Sequence, residues 1–199
     1  MQLQHRLDLA DFDDRDRVLQ GRGVFGICQS RIRIERFPDL AGDCRPGEYT
    51  DRKGDAIEDI IRAKLDLIQQ QYGIPHSKGQ VRLVGKEVDH VVPSMNEPYV
   101  MIMTSYMETT SSSQTARANE QSEMYGIIQA DNRRYGTGRV LVNFVDGAGW
   151  LARRSDLRKL HAGCDYIINL NTLDQLEAII CQYVPENYFT KSPRPQVEG

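Results

Sequence analysis

The stretch "KEVDHVVPSMNEPYVMIMTSYMETTSSSQTARANEQ", residues 86–121, decides how the rest of the chain is read. Its first part is rich in valine and its second, Tyr99 to Met103, is an apolar run. Both are of the kind that fills a sheet interior. The second run then changes character. Hydroxyls crowd in at Thr104, Ser105, Thr109, Thr110, Ser111, Ser112 and Ser113, and helix formers take over from Gln114. One carboxylate, Asp89, lies among the valines of the first strand. Burial there is unfavourable unless the group is paired or binds a cation. A partner such as Arg82 or Lys86 would make its role structural; a metal ion would make it chemical.

Outward from this stretch the chain alternates helices and strands. Upstream, "DRKGDAIEDIIRAKLDLIQQQYGI" places apolar residues at 56, 57, 60, 61, 65 and 68, one face of a long helix from Asp51 that Gly73 and Pro75 stop. "QVRLVGKEVDHVVPS" reads as one or two strands with a bend at Gly85. Downstream, "QTARANEQSEMYGIIQADNRRYG" predicts a helix and "RVLVNFVDG" a buried strand closing in an Asp-Gly turn. "LARRSDLRKLHAG" predicts a helix stopped by Gly163, "CDYIINL" a strand, and "NTLDQLEAII" a last helix capped by Asn171 or Thr172. The order implies an α/β fold, a mixed central sheet flanked by helices on both faces. Before it, "RIRIERF" alternates like a half-buried strand and "PDLAGDCRPGEY" is turn chemistry. The Pro-rich tail from Pro185 is expected to be loose or lightly docked.

Composition bounds the function. With 199 residues, 40% hydrophobic and 27% charged, the chain is ordinary globular material long enough for a full core. No run approaches the roughly 18 apolar residues of a membrane span. The opening "MQLQHRLDLADFDDRDR" has no apolar signal core, so a cytoplasmic protein is expected. Cys28, Cys44, Cys164 and Cys181 are far apart, which favours reduced, mostly buried thiols over zinc ligands. A net charge of −3 argues against a protein that coats nucleic acid indiscriminately, yet a local basic groove is compatible with it. Basic residues do cluster in "SRIRIERF", "DNRRYGTGR" and "WLARRSDLRK". Trp150, after a Gly-x-Gly turn, reads as a core plug rather than a base-stacking wedge. His90 follows Asp89 on the strand and therefore points to the other face, so it is not read as a catalytic base.

On these residues the chain resembles the PD-(D/E)xK nucleases, type II restriction endonucleases among them, over roughly residues 51 to 180. Asp89 matches the first acid of the motif, and Met103-Thr104-Ser105 falls where the (D/E)xK triplet stands. The run "LVNFVDGAGWLARRSDLRKLHAGCDYIINLNTLDQL" resembles the C-terminal part of restriction enzymes that cut at GATC and of their relatives. The resemblance implies a restriction-endonuclease-like core over 51–184, with 1–50 an N-terminal segment that is a candidate for DNA recognition or dimer contact, and 185–199 a C-terminal tail. It implies a homodimer that binds double-stranded DNA and hydrolyses it with Mg²⁺. Asp89 and Glu58 would hold the metal, and Ser105 and Gln114, with Asp89, would form the catalytic set. Ser111, Ser113, Arg117, Arg133, Arg134, Arg153 and Arg154 would contact DNA.

The chain departs from the family pattern at one decisive place. Met103 occupies the position of the motif acid, and a thioether is a poor ligand for a hard cation. The acid has moved to Glu108, Glu120 or Glu123, or the chain is an inactive form, or the register differs. Two further readings therefore stand beside the nuclease. One is a non-catalytic DNA-binding protein on the same fold; the other is an α/β interaction protein with no nucleic-acid partner.

Overall fold

The computed structural model describes residues 46–195, with side-chain surroundings from Gly54 onward. The expected strand at 31–37, Cys28, Cys44 and the role of the N-terminal segment as far as residue 45 lie outside the described residues.

Helix α1 (Pro46–Tyr72) starts five residues before the expected Asp51. The "PGEY" expected in a turn opens it instead, since proline in the first helical position gives up only an amide that the helix cannot use. Then follow β1 (Ser77–Val81), β2 (Lys86–Pro93), β3 (Pro98–Tyr106), α2 (Ser113–Tyr135), β4 (Val140–Asp146), α3 (Gly149–Ala152), α4 (Arg154–Ala162), β5 (Tyr166–Ile168) and α5 (Gln175–Tyr183). The five strands lie in sequence order in one sheet. β1, β2 and β3 pair antiparallel, whereas β3, β4 and β5 are parallel, so the sheet is mixed and the fold α/β, as expected.

Helices cover both faces and each face has its own core. Ile57, Ile61, Leu65 and Ile68 of α1 pack with Val100, Ile102, Val142, Phe144 and the α5 residues Leu176, Ile179 and Ile180. On the other face Ala118, Met124 and Ile128 of α2 and Leu160 of α4 pack with Val91, Met101, Leu141, Val145 and Trp150. Trp150 is fully buried, a core plug.

Two local expectations are corrected, and the tail, expected loose or lightly docked, makes docking contacts. The helix expected over 151–163 is two, α3 and α4, separated at Arg153, whose φ of −114 and ψ of 58 are not helical. α5 is preceded by Asp174, not by Asn171 or Thr172, which sit in a turn where the Asn169 side chain accepts both their amides. The tail as far as Arg194 folds back: Phe189 packs edge-on to Tyr72, and the Lys191 amide donates to Tyr72 O at 3.1 Å.

Candidate active site

Alternation along β3 sorts its side chains between the two faces. Val100 and Ile102 enter the α1 core and Met101 and Met103 the α2 core, so Thr104 and Tyr106 continue the α1 side and Ser105 the α2 side. A cleft of about 420 Å³ opens where β3 leaves the sheet. Thr104, Tyr106 and Met107 line it from the strand end, Gly54, Asp55 and Glu58 from α1, Thr109 and Ser111 from the loop, and Ser113 and Arg117 from the start of α2. The Thr104 hydroxyl is buried and makes no hydrogen bond among the described residues, so a polar atom faces this space unpaired.

Asp89 does not itself line the cleft but is tied to Thr104, which does, where β2 and β3 part. Their ladder runs from Pro93↔Pro98 to His90↔Ile102, and Asp89 is the next residue on β2. The Thr104 amide, past the last rung, donates to Asp89 Oδ2 at 2.7 Å. Neither Arg82 nor Lys86 is the partner: Lys86 is committed to Glu123 at 2.8 Å and Glu120 at 3.6 Å. Burial holds the Asp89 carboxyl above its ordinary range and the Glu58 charge adds to that, while the Thr104 amide, Lys78 and Arg117 act in the opposite sense. Glu58 of α1, Lys78 of β1 and Arg117 of α2 thus all bear on the Asp89 charge of β2. Lys78 Nζ donates to Glu58 Oε2 at 2.7 Å. A buried carboxylate with a second carboxylate near it suits a cation, which would favour its ionised form. Among the described residues no group of three or more His, Cys, Asp or Glu converges, so the protein offers two carboxylates, with Asp55 one turn from Glu58 on the same helical face.

The other expected site residues are divided. Ser111, Ser113 and Arg117 line the cleft. Ser105 does not: it is fully buried and accepts from Gln121 Nε2 at 3.2 Å. Gln114 is also fully buried, its Oε1 accepting the Ser111 amide at 3.0 Å. Both shape the strand end and the loop rather than face the cleft. Met103 packs on the α2 core and does not line the cleft. Of the three acids weighed as its replacement, Glu120 and Glu123 pair with Lys86, and Glu108 accepts from the Tyr106 hydroxyl at 3.4 Å. Arg153 and Arg154 flank the α3–α4 break at the sheet end that carries the cleft, Arg153 lying 3.8 Å from Asp156. Arg133 and Arg134 occupy the last turn of α2, about 24 Å along the helix from Arg117. Glu58 on α1 was expected from the family resemblance, whereas Lys78 on β1 was not, and no signal in the sequence singled it out.

The turn "DGAGW" braces this strand end. Asp146 is buried and its carboxylate accepts the Gly147 amide at 2.7 Å and the Leu170 amide at 3.1 Å. Gly147, at φ +102, and Gly149 lie against the Met107 and Thr109 carbonyls, where a Cβ would collide with backbone. Trp150 Nε1 donates to Ser105 O at 3.2 Å. The turn thereby fixes where β3 ends and where the loop beside the cleft begins.

A family model described as DpnII restriction endonuclease matches residues 49–178, a span that holds all but the first three residues of α1, the whole sheet and every residue of the cleft. No curated protein and no solved structure matches the chain.

Proposed function

The chain belongs to the DpnII restriction endonuclease family, and we propose that it acts as a type II restriction enzyme on a PD-(D/E)xK core, cutting double-stranded DNA at a specific sequence with Mg²⁺. The observation that carries this reading is the pair of carboxylates, Asp89 and Glu58, at the parting of β2 and β3 beside a cleft lined by hydroxyls and Arg117. Asp89 and Glu58 would hold Mg²⁺, which is content with few protein oxygens and, when bound, polarises the phosphate and lowers the pKa of water. The Thr104 amide fixes the Asp89 carboxylate. Thr109, Ser111, Ser113 and Arg117 would donate to phosphate oxygens, and the first turn of α2, with no acidic residue, suits an anion. Arg153 and Arg154 would follow the backbone at the same sheet end. Arg133 and Arg134 would reach only a duplex that runs along α2. On this reading the acid missing at Met103 is supplied from α1. The protein would work in the cytoplasm as a homodimer, since two-fold sites are read by two-fold proteins. Among the described residues no helix is long and apolar enough to cross a membrane.

Met103 favours a second reading, a non-catalytic DNA-binding protein on the same fold. Mixed phage and plasmid DNA incubated with Mg²⁺, then Mn²⁺, separates the two when the chain runs beside Asp89→Ala. Discrete fragments that Asp89→Ala abolishes support the nuclease. Duplex binding without fragments supports the binding protein, and no binding at low salt would sink both, because phosphate contacts strengthen as salt falls.

A further inference from the structure

We propose that Lys78 is the cation that faces the scissile phosphate, delivered from β1 because β3 carries no basic residue at its end. The inference rests on the nuclease reading and adds to it a residue that the sequence pattern does not single out. Three observations carry it. Lys78 Nζ lies 2.7 Å from Glu58 Oε2, so the ammonium sits at the carboxylate that lines the cleft from α1. Its direction is set by the sheet: neighbours Ser77 and Gly79 pair with Val91 and Val88, whose side chains enter the α2 core, so Lys78 between them points to the α1 side. The pair is also poorly placed for stability, since the two side chains are 48% and 34% exposed and partly solvated ion pairs contribute little.

The chemistry needs such a group. In hydrolysis a bond forms from water oxygen to phosphorus, the bond from phosphorus to the leaving sugar oxygen breaks, and a proton passes from water to that oxygen through solvent. The phosphate arrives anionic at two carboxylates, and charge builds on its oxygens. A fixed positive charge at that point stabilises the crowded anions without itself exchanging a proton. Lys86, the other lysine near this edge, pairs with Glu120 and Glu123 of α2, neither of which lines the cleft, whereas the Lys78 partner Glu58 does. Arg117 reaches the site from α2, on the opposite wall of the cleft from Glu58. Lys78 and Arg117 would thus grip the phosphate from two sides, the lysine as a point charge on a flexible stem.

The test uses the full chain and Lys78→Met, which keeps the stem and removes the charge. Sheared phage DNA serves as duplex, with Ca²⁺ for binding and Mg²⁺ for single-turnover cutting, and Mn²⁺ binding to the free protein is followed by calorimetry. We expect the cutting rate to fall about 100-fold. The slope of log affinity against log salt should flatten by about 0.9, the share of one phosphate contact. Mn²⁺ should bind at least as tightly as to the unaltered chain. A cutting rate within threefold, an unchanged salt slope, or Mn²⁺ binding weakened as much as in Asp89→Ala would each overturn the assignment. If the unaltered chain binds duplex but never cuts, the nuclease reading fails while the salt slope still decides whether Lys78 meets phosphate. If it binds no duplex at low salt, both readings fall.

Discussion

Acid should destabilise this protein through His90. The ring is buried on the α1 side of β2, opposite Ile102, at 4% exposure, and its Nε2 makes no hydrogen bond among the described residues. Burial pulls its pKa from 6.5 down to about 4; the Glu58 charge opposes this, and His76, Lys78 and Arg62 reinforce it. Above pH 6.5 neither the folded nor the unfolded chain protonates the ring, so its contribution is fully present. Between 6.5 and 4 the unfolded chain takes up a proton that the folded chain refuses, and stability is lost as pH falls. The gap corresponds to about 3 kcal/mol, complete near pH 4. Carboxylates titrate in the same window, so the comparison is with His90→Leu, which keeps the volume and removes the orphan nitrogen. Urea unfolding at pH 7 and at steps down to pH 4 gives the two stabilities. We expect His90→Leu to match or exceed the unaltered chain at pH 7, and its advantage to grow by about 3 kcal/mol by pH 4. An advantage that stays constant within about 0.5 kcal/mol would refute the reasoning, since it would mean that the ring protonates in place or is solvated.

Asp89→Asn keeps an acceptor for the Thr104 amide and removes a charge that burial and Glu58 disfavour. Its melting temperature at neutral pH should hold or rise while Mn²⁺ binding and cutting disappear; a marked fall in melting temperature would make Asp89 a structural residue. Gly149→Ala drives a Cβ into the Thr109 and Met107 carbonyls, so a loss of about 1–3 kcal/mol in urea unfolding is expected, with weaker duplex binding as the cleft loop shifts. Unchanged stability would show that the loop yields freely and that the turn does not set the cleft.

Legibility of the sequence followed burial. The α1 face was plain because apolar residues at 57, 61, 65 and 68 alternate with polar ones, and all four are buried. The strands around Asp89 and Val142 were equally plain from their valines. The functional phase of β3 was not. Val100, Met101 and Ile102 are all buried, because the strand is covered on both faces, so apolar character cannot say which alternate set continues towards the cleft. Thr104 and Ser105 are both small hydroxyls, which left the choice open at the point where it matters. Glu58 was expected only through the family resemblance, and Lys78 was beyond local reading for a different reason: it meets Glu58 only through the placing of β1 beside β2 and the crossing of α1. Arg133 and Arg134 looked equivalent to Arg117 as basic residues and differ from it only in their distance along one helix.

The geometry also accounts for why the turn "DGAGW" is the more recognisable half of the chain and the metal motif the less. At the turn, the close approach of backbone to backbone admits glycine alone at 147 and 149, and one indole meets one carbonyl. No substitute of another size fits, so the sequence there is dictated by sterics. At the parting of β2 and β3 the requirement is charge at a point, and charge can be brought by any long side chain on an element that passes nearby. Glu58 and Lys78 meet in one hydrogen bond there, from a helix and the edge strand that follows it, 20 residues apart in the chain. A thioether at Met103 therefore does not empty the site of charge. On the proposed nuclease reading the demand for a second carboxylate would fall on α1, and the test of Glu58 and Lys78, rather than restoration of the motif at 103, is the experiment on which that reading turns.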